Sequence, residues 1–176
     1  MEALTFEEAL RLIHLPKWVI DESGNKVQKL TLDQKFPMQT RFSLMSDDDI
    51  IREYLVDVKQ SDKMGIRLNF QLMDNLNWGL ARLDYNNNHM NPEEITDKVP
   101  ELFHSHVGEF FNQKSHLHYH VEGFKPLAWA LPLEETEIET KEVSIPTMQT
   151  DFIKAFNSFM AYLNVQTETT INPLVL

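Results

Sequence analysis

The chain has 176 residues, of which 42 % are hydrophobic and 10 % aromatic, enough to bury a core and to exclude a disordered or purely solvating chain. Sixteen Lys and Arg against 27 Asp and Glu leave a formal charge of −11, which disfavours a general polyanion binder. The absence of cysteine excludes disulfides, thiolate zinc sites, iron–sulfur clusters and cysteine nucleophiles. The apolar runs, such as Leu127 to Leu133, fall well short of the roughly 20 residues that span a bilayer. No basic segment followed by an apolar one opens the sequence. The expectation is one domain over residues 1–176, cytoplasmic in a bacterial host and without a membrane partner.

Thr5 followed by Phe6-Glu7-Glu8 reads as a capping box, and Phe6, Leu10 and Ile13 share a stripe at helical spacing, which predicts a short helix over 5–14 ended by Pro16. Asp21 to Lys26 reads as a turn between two extended pieces. Met38 to Met45, Tyr54 to Val58, Ile66 to Met73 and Trp78 to Tyr85 read as strands, and Ile66, Leu68, Phe70 and Leu72 alternate with polar neighbours most clearly. The links Ser46 to Asp49 and Gln60 to Gly65 are short and polar, so the strands form an antiparallel meander rather than βαβ units. Residues 86–101 read as a polar loop, Ser115 to Val121 and Leu127 to Leu131 as further extended segments, and the acidic stretch 134–142 as a solvated loop. Phe152, Phe156, Phe159, Met160 and Leu163 follow a 3.6-residue period over 148–163 and form either core or a dimer interface, so a homodimer enters as a candidate assembly. The predicted class is α+β: an antiparallel β-sheet meander packed by an N-terminal and a C-terminal α-helix.

Six of the seven histidines lie between His89 and His120. On a strand, residues two apart point to one face at roughly 6–7 Å, so His116, His118 and His120 form a ladder while Leu117, Tyr119 and Val121 bury the other side. Two chemistries compete. In the first, a His-x-His pair chelates a divalent ion with a carboxylate. The spacing His116-x-His118-x-x-x-Glu122 matches the first metal motif of cupins, but a cupin needs a later histidine and none follows His120. A different ion site would borrow His89, His104 or His106. In the second, no cofactor is needed: two imidazoles serve as base and acid in cleaving RNA at the 2′-hydroxyl. There His116 and His118 form the pair in either order, His89 supports them, Arg82 takes the phosphate and Asp84 orients a histidine. Substrate contacts are expected from Asn91, Tyr119, His120, Lys125 and Trp129. Between Leu102 and Leu133 the two acids Glu109 and Glu122 balance Lys114 and Lys125, so the histidines sit in a neutral patch of an acidic chain.

The motifs Arg82-Leu83-Asp84, His89-x-Asn91-Pro92, His116-x-His118-x-x-x-Glu122-Gly123 and Trp129-Ala130-x-Pro132-Leu133, in that order, resemble a small domain family of prophages, plasmids and other mobile elements. Their middle is similar to the histidine-rich core of an RNA-directed toxin family from toxin–antitoxin pairs. Two features depart from that pattern: His120 stands where tyrosine is more frequent, and Phe103-His104-Ser105-His106 is an additional segment. The resemblance implies a mobile-element ribonuclease acting on structured RNA. It also extends to anti-CRISPR proteins of similar size that truncate Cas9 guide RNA, with Cas9 or another defence effector as the protein partner. The same acidity suits a non-enzymatic inhibitor of a defence nuclease, or the histidines a structural metal site.

Overall fold

Alternation along the central strands sends one set of side chains into the core and the next onto the opposite face. The computed structural model describes residues 3–33, 37–60, 67–143 and 148–172. Helix α1 (Phe6–His14) starts where Thr5 Oγ1 accepts the backbone N–H of Glu8 at 3.1 Å, and it buries Phe6, Ala9, Leu12 and Ile13. Glu8 does not complete the reciprocal half of the capping box: its side chain lies 3.7 Å from Arg52 instead.

Strands β1 (Trp18–Ile20), β3 (Met38–Ser46), β4 (Asp49–Gln60), β5 (Leu68–Asp74), β6 (Gly79–Met90), β7 (Phe110–Tyr119) and β8 (Trp129–Pro132) form one seven-stranded antiparallel sheet in that order. The meander reading holds from β3 to β8, and Ile66, the expected start of β5, lies outside the described residues. Strand β2 (Lys29–Asp33) leaves this sheet to pair in parallel with β9 (Glu168–Asn172), a long-range ladder that no local pattern announces. The C-terminal helix α2 (Met148–Tyr162) closes the architecture, which is α+β with a helix near each end of the chain. No helix among the described residues is long and apolar enough to cross a membrane.

The core covers one face of the large sheet. Phe70 pairs laterally with Val58 and Leu83, and Leu83 with Leu117, all fully buried. Helix α2 packs Phe152, Phe156 and Phe159 against Phe70, with centroids 5.8–5.9 Å apart, so the phenylalanine stripe is core within one chain. Burial of each such ring contributes about 1.5–3 kcal/mol. The neighbouring rows on the reverse face read Asn69–Asp84–His116 and Gln71–Arg82–His118 across β5, β6 and β7. Register alone therefore assembles the polar cluster described next.

Strand β6 does not stop at Tyr85, as the polar sequence 86–101 suggests, but continues to Met90. Register shifts between Asp84 and Asn87 and between Asn87 and His89 break its regularity, with Asn86 at φ 55° and Gln113 opposite at φ 52°. Asparagine tolerates this left-handed backbone, and the side chains of Asn86, Asn87 and Asn88 bond to Val143 O, Leu68 O and Gln113 N. The acidic stretch is only partly solvated, since Ile138 is buried.

Candidate functional site

Asp84, His116 and His118 meet on the reverse face and are nearly sealed from solvent, with exposures of 4 %, 0 % and 0 %. Each histidine is anchored from behind. His118 Nδ1 donates to Leu127 O at 2.8 Å, and His116 Nδ1 donates to Lys114 O at 2.8 Å. A carbonyl can only accept, so in the neutral rings both Nε2 atoms carry lone pairs. These point inward: His118 Nε2 lies 3.1 Å and His116 Nε2 3.6 Å from Asp84 Oδ2. The second separation is too long for a hydrogen bond, and His116 Nε2 is buried without a hydrogen-bond partner. Leaving such an atom unsatisfied costs about 1–3 kcal/mol. Asn69 Nδ2 donates to Asp84 Oδ1, which keeps the other carboxylate oxygen for the histidines.

Arg82 supplies the positive charge. Its Nε donates to Asp84 Oδ2 at 3.0 Å and its Nη2 to His118 Nε2 at 2.7 Å, while part of the side chain stays open to solvent. Burial works to raise the Asp84 pKa, but the charge of the adjacent Arg82 opposes it, and the carboxyl is held well below the usual range. Burial pushes His118 down, and Arg82 adds to this against the opposing pull of Asp84, so its ring is neutral at neutral pH.

His89 completes the group. Five residues beyond Asp84, it would face the other way in a regular strand; the shifts in β6 return it, with its centroid 4.4 Å from His118 and 5.5 Å from His116. Its orientation is dictated by Asn91, which is buried and fully bonded. Asn91 Nδ2 donates to His106 O and Ala130 O, and Oδ1 accepts from Ala130 N at 2.9 Å and from His89 Nε2 at 3.1 Å. His89 Nε2 also lies 3.0 Å from Ala128 O, so this nitrogen carries the hydrogen and Nδ1 the lone pair. Burial lowers the His89 pKa.

The five residues read as catalytic in the sequence, Arg82, Asp84, His89, His116 and His118, thus stand together. The three-rung ladder is corrected to two rungs. Strand β7 ends at Tyr119, and His120 Nε2 donates to Leu4 O at 2.8 Å beside Trp78. His89 takes its place. Of the residues expected to contact substrate, Asn91 positions His89, Tyr119 packs on Phe6 and Phe103, and Trp129 is buried against Phe103 and Phe124. Lys125 is exposed in a cleft of about 530 Å³ with Glu93 and Glu94, whose charges oppose a phosphate there. His104 bonds to Val99 O, His106 sits between Glu109 and Glu135, and Glu122 lies 3.6 Å from Lys98, so none of the three joins the cluster. The sequence reading missed Asn69 and Leu127. Asn69 is legible from β5 register, but Leu127 presents its carbonyl through a left-handed backbone (φ 57°) that its residue type disfavours.

Residues 4–165 match the family of unknown function DUF6978. The chain belongs to that family. The match runs from the start of α1 past the end of α2, so every residue of the cluster lies within the DUF6978 domain, and among the described helices and strands only β9 lies outside it. No curated protein and no solved structure matches the chain.

Proposed function

We propose that this DUF6978 protein cleaves RNA at the Arg82–Asp84–His89–His116–His118 cluster. One observation carries the reading: three imidazoles, a carboxylate and a guanidinium converge, and of these only Arg82 and His89 reach the surface in part. Arg82, held by Asp84 and His118, is placed to bind the scissile phosphate and to stabilise the charge that builds on it. His89, with its Nδ1 lone pair, takes the proton from the 2′-hydroxyl as that oxygen attacks phosphorus. The imidazolium then returns the proton to the departing 5′-oxygen, leaving a 2′,3′-cyclic phosphate. His116 and His118 have no exposed surface to touch a ribose, so they act behind Arg82 as positioning residues. The base and acid roles expected of that pair therefore pass to His89.

The motif resemblance supports a mobile-element protein working in the bacterial cytoplasm, and a Cas9-bound guide RNA as the narrower substrate. Incubating purified protein with structured RNA, with and without Cas9, tests this. The expected result is cleavage to 2′,3′-cyclic ends that falls at least ~10²-fold in Arg82→Ala and His89→Ala. No cleavage of any RNA under either condition overturns it. A second reading, inhibition by binding alone, is favoured by Ile50 and Ile51. They stand 82 % and 84 % exposed at the β3–β4 turn beside Asp47 and Asp48, an apolar and acidic tip suited to a basic protein surface. It predicts stoichiometric inhibition that survives His89→Ala and fails in Ile50→Asp with Ile51→Asp.

A further inference from the structure

The inner side of the cluster holds more electron pairs than it holds donors. Asp84 Oδ2 and the Nε2 atoms of His116 and His118 are all acceptors when the rings are neutral, and one ligand atom from each residue lies within 4.8 Å of the others. At 3.1 Å the His118 lone pair faces the carboxylate oxygen directly, and Arg82 is the only cation among the described residues that bonds to either of them. His116 Nε2 has no donor at all, although the side chain is wholly buried.

We propose that Asp84, His116 and His118 form a binding site for a divalent transition-metal ion, of the class that prefers imidazole and carboxylate ligands. Bonds of about 2.0–2.2 Å in a tetrahedral shell put ligand atoms roughly 3.3–3.6 Å apart. The observed separations of 3.1 and 3.6 Å from the histidines to Asp84 Oδ2 fall around that range. The outer contacts match as well. Each histidine donates its Nδ1–H to a backbone carbonyl, the arrangement that fixes a ligating tautomer, and Asn69 occupies the carboxylate oxygen the ion does not need. Two imidazoles with one carboxylate suit zinc, iron(II), cobalt(II) or nickel rather than magnesium or calcium, which take oxygen ligands. Arg82 is the competitor: its guanidinium lies against two of the three ligands, and its partly exposed side chain can swing away as the ion enters. Because Asp84 and His118 are also the groups that hold Arg82 for the proposed cleavage, a bound ion and the phosphate-binding position of Arg82 compete for the same two side chains.

Titrating the metal-stripped full-length protein with cobalt(II), without RNA, tests the site through visible ligand-field absorption and through counting of bound ions. One ion per chain is expected, with a dissociation constant below about 10 µM. His116→Ala and Asp84→Asn should each weaken it about 10–100-fold while near-ultraviolet circular dichroism stays native. Arg82→Met should strengthen it, because the competing cation is gone. Should His116→Ala not fold, Asp84→Asn and Arg82→Met carry the test. Failure of the folded wild-type protein to bind cobalt overturns the site, as does binding unchanged by Asp84→Asn.

Discussion

Two of the regions that bury charge in this molecule do so in opposite ways. Beneath helix α1, the fully buried Lys17 Nζ donates to Ile13 O, Leu15 O and Leu163 O at 2.6, 2.9 and 3.1 Å, below the face of Tyr54 at 5.1 Å. Three acceptors match the three N–H groups of an ammonium, and the carbonyls come from the C-terminal ends of α1 and α2, where the helix dipoles favour a cation. Burial pushes the Lys17 pKa down to about 7, and the filled coordination works against that loss of charge. On the reverse face of the sheet, by contrast, His116 Nε2 is unsatisfied and His118 Nε2 faces a carboxylate. A charge whose every bond is answered from the backbone is a clasp. A cluster that leaves acceptors unanswered is held at a cost in stability, and the expected return is chemistry.

The contrast is broken most directly at the clasp. Lys17→Ala strands three carbonyls and uncouples the helix ends, and should destabilise the fold by roughly 3–5 kcal/mol in urea titrations, with the activity per folded molecule retained. Asn91→Ala comes next, because it removes an amide that answers four groups. A loss of about 2–3 kcal/mol is expected, together with a loss of cleavage that a purely structural amide would not cause. His116→Phe should separate the two regions: stability should change by less than about 1 kcal/mol or rise, since an apolar ring beside Phe111 replaces an unsatisfied one, while cobalt binding disappears. If His116→Phe destabilises as strongly as Lys17→Ala, the cluster is a structural device and the distinction fails.

The smallest effect belongs to His106. Burial opposes its charge, but Glu109 at 2.5 Å and Glu135 at 3.0 Å outweigh that and raise its pKa. The folded state therefore holds this proton more tightly than the unfolded chain does. Its contribution is complete below the ordinary histidine value and fades as the pH rises through the higher folded-state value. Unfolding free energy should decline by up to about 1 kcal/mol across that window in the wild type, and His106→Gln should flatten the decline.

Much of the fold was legible because it rests on local periodicity. The Thr5 cap, the α1 stripe, the alternation in β5 and the phenylalanine spacing of α2 each encode one element and its buried face. Arg82 and Asp84 share a face for the same reason, as do His116 and His118. The legibility ended where the chain leaves its regular period. Asn86 to Met90 looks like a loop because its residues are polar, yet it is a bulged strand whose side chains answer other backbone groups. His120 looks like a third rung until β7 ends one residue too soon.

By itself, then, the sequence determined the α+β class, the antiparallel meander, the two helices and the pairing of histidines on one strand, all of them consequences of side-chain period. Only the tertiary structure decided which rows meet across strands and that the cluster is buried. It also decided that shifts in β6 bring His89 to the face of His118, and that β2 pairs with β9. Those outcomes depend on register, bulges and contacts between residues distant in the chain, and no local window carries that information.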